Sequence, residues 1–245
     1  MINFFKSFFN KEINPQITAK ALQTDIHSHL IPGIDDGAQN FEESKLLCDV
    51  LVHLGYTKFI TTPHINMNFP NTASIIQYHF ESIREYLEPQ KIIIEYAAEY
   101  MLDEGFNFHL KNGLLSFGKK KYVLIETSHH IKPERFKDII FDIQMKGYKP
   151  VLAHPERYLY LWNSKEKYYE LKELGLFFQL NLNSLTGYYT DKPKNIAKFL
   201  LKNKLIDFVG SDTHHLKHIE MLEKSLVDEN FIAYLNVGKL LNSTL

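Results

Sequence analysis

Hydrophobic and polar positions follow two rhythms along this chain, and the rhythms take turns. In "FEESKLLCDVLVHLGYT" the apolar residues Leu46, Leu47, Val50, Leu51 and Leu54 recur at helical spacing, and Gly55 closes the stripe. "KFITT" follows as a short strand. The same order returns in "FKDIIFDIQMKGYKPVLAHPE", in "KYYELKELGLFFQLNLN" and in "PKNIAKFLLKNKLIDFVGSD". With "LQTDIH", "KIIIEYAAE" and "KKYVLIE" the chain offers seven candidate strands, most of them separated by helical segments. Such alternation predicts parallel βαβ units. The nearly continuous apolar character of the strands suits a sheet covered on both faces. No Pro-, Gly- or Ser-rich linker interrupts the pattern. It predicts one α/β domain over residues 21–245, a seven-stranded (β/α) barrel, with a doubly wound open sheet as the structural alternative.

Composition narrows the class. A length of 245 residues accommodates one barrel-sized domain. The net charge is -1 and the only arginines are Arg84, Arg135 and Arg157, so no basic stripe for nucleic acid is expected. The lone Cys48 excludes a disulfide within the chain and points to a reducing, cytoplasmic setting. No apolar run reaches the roughly 18 residues of a membrane-spanning helix. At the start, Phe4, Phe5, Phe8 and Phe9 recur at helical spacing with Lys6 and Lys11 between them. Residues 1–20 therefore read as an amphipathic extension docked on the domain, with peripheral membrane or partner contact as the alternative. A signal peptide would need a longer apolar stretch and a cleavage site.

The chemistry lies where the strands end. The first strand runs into His27 and His29, with Asp35 and Asp36 shortly after. The second leads to His64, the third to Glu99, the fourth to Glu126, and the fifth to His154 with Arg157 three residues on. The sixth gives Asn181 and Asn183, and the seventh Asp212, His214 and His215. A barrel gathers these ends at one mouth, where active sites sit. One such histidine is unremarkable; the whole set is hard to explain as packing, because unpartnered buried polar groups are costly. Imidazole with carboxylate and no thiolate points to Mn, Fe or Zn. Five histidines and four carboxylates make nine donors, enough for more than one ion if carboxylates bridge. Three divalent cations would leave a formal charge of +2 against those four carboxylates, matched to a phosphate monoester dianion.

The segments "DIHSHLIPGIDDG", "TTPH", "AAE", "HPER" and "GSDTH" together resemble the polymerase-and-histidinol-phosphatase (PHP) superfamily, from about Asp25 to His214. The "HSH…DDG" form, the "LIE" strand and "HPER" are most similar to bacterial PHP-type protein-tyrosine phosphatases, which act on the tyrosine kinases of capsule and exopolysaccharide export. The resemblance implies a distorted seven-stranded barrel with three metal ions, commonly manganese. Carried onto this chain, His27 and His29 would share one ion with Glu99 and Asp212. Glu99 would bridge to a second held by Glu126 and His154. Asp36, His64 and His214 would take a third, with Asp35 competing for the place of Asp36. Asp25 suits an acceptor that orients an imidazole.

Arg157 is the expected phosphate ligand, since a guanidinium binds two phosphoryl oxygens at once. Family members place another arginine after the last motif; here "HHLKHIE" has none, which leaves Lys217, His215 or His218 for that contact. The expected reaction is attack on phosphotyrosine by a metal-bridged hydroxide, with His129, His130 or His215 as proton donor. The expected partner is a phosphotyrosyl protein, a membrane-associated tyrosine kinase. "RYLYLW" and "GYYTDKPKN" stand as either pocket walls or ordinary core and loop. Two rival readings are a histidinol-phosphate phosphatase and, outside enzymes, a metal-binding module that docks a membrane partner.

Overall fold

The structure is a computed structural model and describes residues 14–245. The Phe-rich start, with the amphipathic helix expected there, lies outside those residues. Among the described residues nine strands alternate with nine α-helices, and every strand pair is parallel. The strands are β1 (Thr24–Asp25), β2 (Lys58–Thr61), β3 (His64–Ile65), β4 (Ile93–Tyr96), β5 (Glu99–Met101), β6 (Tyr122–Glu126), β7 (Lys149–Ala153), β8 (Phe177–Asn181) and β9 (Phe208–Gly210). The helices are α1 (Pro15–Leu22), α2 (Phe41–Leu54), α3 (Ala73–Leu87), α4 (Phe106–Asn112), α5 (Phe136–Met145), α6 (Glu166–Glu173), α7 (Asp191–Lys202), α8 (Leu216–Ser225) and α9 (Glu229–Val237).

Nine strands arise from seven because two barrel arms are interrupted. The second breaks at Thr62 and Pro63 between β2 and β3, where proline has no N–H to give a ladder. The third breaks at Ala97 and Ala98 between β4 and β5. The ladders are thereby cut into a sheet β1-β2-β4 and a sheet β3-β5-β6-β7-β8-β9. Two backbone bonds carry the arms across the break, Ala97 N–H to Thr61 O (2.9 Å) and Glu99 N–H to Pro63 O (3.1 Å). The ring closes where Ser28 bridges Thr213 and His29 N–H donates to Thr213 O at 2.9 Å. This is the expected seven-armed barrel, distorted at arms two and three.

Two apolar layers hold it. Ile26, Ile60, Ala97, Leu124, Val151, Ala153 and Phe208 fill the interior, while the helices pack outside over a larger cluster. Helix α2 shows how the sequence sets an outer element. Asn40 caps its start by accepting from Glu43 N–H, Leu47, Cys48, Leu51 and Leu54 are buried, and Gly55 ends it at φ 111°. On β6, Tyr122, Leu124 and Glu126 share the inward face, so the period of two that buries Leu124 also delivers the Glu126 carboxylate to the mouth. Ala97 and Glu99 repeat this on the third arm.

No strand ladder joins β1 to β9 among the described residues, and Asn242 takes its place. Its amide donates to Thr24 O (3.0 Å) and Val209 O (2.8 Å) and accepts from Val209 N–H (3.0 Å), and Asn242 itself is 1% exposed. Asn242→Ala would leave buried backbone groups unpaired and should cost about 2–3 kcal/mol of stability. Chemical denaturation checks this; a loss under about 0.5 kcal/mol would refute the closing role.

Candidate metal centre

All nine side chains expected at the mouth converge there. His27 and His29 are fully buried, with their Nε2 atoms 3.4 Å apart. Each is aimed by a different partner. His29 Nδ1 lies 2.8 Å from Asp35 Oδ2 and His27 Nδ1 lies 2.8 Å from Gln179 Oε1. Gln179 Nε2 donates to Leu180 O, which fixes its oxygen toward His27. Asp35, which also accepts from the N–H of Gly37 and His64, thus supports the site from behind, and Asp36 is the acid that faces the cavity. Gly37 is required at this turn, since a Cβ there would lie 2.3 Å from His29 O.

Glu99, with no solvent exposure, sits at the middle. Its Oε2 lies 3.2 Å from His27 Nε2, 3.6 Å from His29 Nε2 and 3.1 Å from His64 Nδ1, and its Oε1 lies 3.1 Å from His154 Nε2. Asp212 Oδ1 is 3.3 Å and 3.4 Å from the Nε2 atoms of His27 and His29. Glu126 Oε1 is 3.3 Å from His64 Nδ1, while Asp36 Oδ1 is 3.5 Å from the Nε2 atoms of both His64 and His214. Among the described residues four groups have donor atoms close enough to hold an ion: His29, Asp36, His64 and His214; His27, Glu99 and His154; His27, His29 and Asp212; and His64, Glu99 and Glu126. Several of these contacts are short without being hydrogen bonds. Glu99 Oε2 and His64 Nδ1 are buried and have no hydrogen-bond partner among the described residues. Donors aimed at a shared cation show this arrangement, so the residues fit several metal ions.

The electrostatics agree. Burial disfavours charge on these imidazoles, yet Asp35 raises His29 to about 10, and Glu99 with Glu126 raises His64 to about 12. Burial works against the carboxylates too, but the surrounding imidazoles hold Glu99 and Asp212 well below the usual range. Backbone conformation is unusual at two of the positions, with His154 at φ 33° and Asp212 at φ 51° in the left-handed region, the kind of strain that collects at functional sites.

A cavity of about 480 Å³ opens over this cluster. Arg157 lines it, with Nη1 2.9 Å from Asp212 Oδ2 and its guanidinium 4.2 Å from the centre of the Tyr189 ring. Asn181 Nδ2 donates to Asp212 Oδ2 (2.8 Å) and to the Tyr189 hydroxyl (3.0 Å). His129, His215 and His218 also line the cavity; Lys217 and His130 do not. One expectation needs correction. Asp25 orients no imidazole: its carboxylate accepts from the N–H and hydroxyl of Ser211, because the first arm turns it toward β9. Of the two readings open for "RYLYLW", the structure shows the core: Tyr158 and Leu161 are buried there, and beyond Arg157 the segment adds nothing to the cavity lining. Gln179 was not singled out by sequence, and its inward place on an apolar strand was the available signal. Phe69, in "NMNFPN", also went unmarked.

These features define a parallel (β/α) barrel with a buried His/Asp/Glu cluster, suited to several metal ions, at its C-terminal mouth. The profile of the capsular polysaccharide synthesis family CpsB/CapC matches residues 23–223, and the chain belongs to that family. It is 31% identical over 197 residues to the tyrosine-protein phosphatase YwqE of Bacillus subtilis, covering 79% of this chain and 78% of that protein. With the tyrosine-protein phosphatase CpsB of Streptococcus pneumoniae it shares 31% over 207 residues, 78% of this chain and 83% of that one. A crystal structure from work on YwqE and CpsB, described as unique metal-dependent tyrosine phosphatases, aligns with a TM-score of 0.73 at 28% identity, over 89% of this chain and 96% of that one. The inactive dihydroorotase-like domain of a Chaetomium thermophilum CAD-like protein aligns with a TM-score of 0.50 at 12% identity, over 90% of this chain and 77% of that one, a likeness of fold alone.

The raised imidazoles imply a pH dependence with a definite sign. His29 and His64 carry protons in the metal-free site at neutral pH, and an incoming cation must displace them. Metal affinity should therefore keep rising with pH up to about 10, with protons released on loading. Calorimetry in buffers of different ionisation enthalpy reads the proton count; loading without proton release would contradict this electrostatic picture.

Proposed function

We propose that this chain is a metal-dependent protein-tyrosine phosphatase that holds three divalent ions, preferably manganese with iron or zinc as alternatives. The observation that carries the reading is the unpartnered Glu99 Oε2 at the centre of the imidazoles, with Arg157 at the edge of the same cavity. His27, His29, Glu99 and Asp212 are assigned to one ion. Glu99, Glu126 and His154 are assigned to a second, and Asp36, His64 and His214 to a third. The short distances within these sets support the assignment.

Divalent ions bound there would lower the pKa of a water molecule and neutralise charge on a phosphoryl oxygen. The protein's own groups do the rest. Arg157, steadied by Asp212 and by the face of Tyr189, offers its guanidinium to the phosphoryl oxygens. The buried walls exclude water and strengthen every charge interaction inside. His215, on the cavity wall 3.9 Å from the His218 ring, is assigned to supply a proton to the departing oxygen. A phenolate leaving group, whose conjugate acid has a pKa near 10, makes small demands on that donor.

The substrate is assigned as a phosphotyrosyl protein, specifically the membrane-associated tyrosine kinase that controls capsule or exopolysaccharide export, met in the cytoplasm. Membership of a capsular polysaccharide synthesis family supports this, as do relatives named tyrosine-protein phosphatases. No helix among the described residues is long and apolar enough to cross a membrane.

Manganese-loaded protein should hydrolyse a phosphotyrosyl peptide faster than a phosphoseryl peptide or histidinol phosphate. Chelation should abolish turnover, and Arg157→Ala should reduce it about 100-fold or more. Steady-state kinetics on the three substrates check this; preference for histidinol phosphate, or turnover that survives chelation, would overturn the reading.

A further inference from the structure

We infer that Phe69 and Tyr188 form the slot that reads the aromatic ring of the substrate, an inference that rests on the phosphotyrosine reading above. The cavity has two chemically distinct parts. Its floor is the histidine and carboxylate cluster with Arg157. Its remaining lining includes carbon-rich side chains, Phe69, Met101, Tyr188 and Tyr189, and three of those four are aromatic.

Tyr189 is already committed. Its hydroxyl accepts from Asn181 and its ring lies under the Arg157 guanidinium, so it holds the phosphate ligand and is not free to stack on a substrate. Phe69 and Tyr188 hold no phosphate ligand, although Lys217 Nζ lies 5.8 Å from the centre of the Tyr188 ring. Phe69 is half-buried and stacks nearly parallel on the His64 ring, at 5.9 Å and 12°. Tyr188 is half-buried and meets His218 at 5.2 Å and 90° and Tyr189 at 4.9 Å and 84°. Its hydroxyl makes no hydrogen bond among the described residues.

Neither ring is there to complete the core. Phe69 lies on a polar loop held in shape by its own asparagines. Asn66 Oδ1 accepts from Asn68 N–H (2.8 Å) and Phe69 N–H (2.9 Å), and Asn71 Nδ2 donates to Ile34 O and His64 O (2.9 Å each). Tyr188 follows Gly187, whose φ of 84° turns the chain, and its N–H donates to Thr186 Oγ1. Rings fixed in advance on short side chains lose little freedom when a ligand arrives. A phenyl group between or against them gains aromatic contact, whereas the short alkyl linker of a phosphoserine leaves that surface unfilled. Selectivity for aryl esters then comes from the rim, and the cluster beneath supplies chemistry common to any phosphate monoester.

The test uses metal-loaded protein, wild type, Phe69→Ala, Tyr188→Ala, and the ring-retaining Phe69→Tyr and Tyr188→Phe. Two ratios are read: kcat/KM for phenyl phosphate over a short alkyl phosphate, and affinity for phenylphosphonate over methylphosphonate by calorimetry. Each alanine variant should lower both ratios about fivefold to tenfold, and the ring-retaining variants should restore them. If aryl and alkyl substrates lose rate equally, the residues merely support His64 and His218, and the inference fails. Equal affinity for the two phosphonates in the wild type, or no binding of either, also overturns it. Wild type that hydrolyses no aryl phosphate yet keeps a ring-dependent preference for phenylphosphonate would sink the phosphatase reading and uphold this one.

Discussion

The Glu99 carboxylate, sealed from solvent, must have its charge answered from within the barrel, and the shape of the mouth follows from that demand. Four imidazoles from three other arms come within 3.1–3.6 Å of it: His27 and His29 from the first, His64 from the second and His154 from the fifth. Their arrival at one point requires each arm to stop at a particular height. The interruptions in arms two and three fall immediately before His64 and Glu99, where the chain leaves one sheet and joins the other. Backbone close to the cluster must be thin. A Cβ at Gly210 would lie 2.6 Å from the Cβ of His27 and 2.8 Å from Gln179 Nε2, so β9 can lie beside that histidine only with glycine there.

Much of this was readable in the sequence because two patterns coincide. Helical stripes alternate with short apolar runs, which sets the barrel, and ligand-type residues follow each run, which sets the mouth. The strand ends at His154 and Asp212 could be read directly, since each apolar run stops at chemically distinctive side chains. Other features depended on which way a side chain turns, which spacing cannot tell. Asp35 and Asp36 are adjacent acids, and only the turn at Gly37 separates the one behind His29 from the one in the cavity. Asp25 resembled an imidazole partner by proximity in sequence, yet the ring closure brings Ser211 to it from 186 residues away. Gln179 does the work expected of Asp25 from β8, two arms round the barrel, and an amide within "FFQLN" carries no mark of that role. Nine strands in place of seven reflect local losses of ladder pairing that hydrophobic pattern does not register.

The site and its surroundings divide the work by physical character. Buried carboxylates and imidazoles form a strongly polarised floor that suits cations, and Arg157 joins the floor to the wall through Asp212 and Tyr189. Asn181 touches both of those partners, so one amide couples the position of the arginine to that of the acid beneath it. The aromatic rim rests on loops shaped by asparagine side chains, glycine and a threonine hydroxyl, outside the packing of the two cores. Loops can change while strands and floor stay as they are, which separates what is bound from what is done to it.

The central claim is that the nine converging donors hold three ions, with Glu99 shared between two of them. Its most direct test is elemental analysis of metal bound per chain in the reconstituted protein and in His64→Ala. The account predicts three ions in the first and two in the second, because His64 is assigned, with Asp36 and His214, to the third ion. A single ion in the wild-type protein, or a variant that keeps all three, would contradict it.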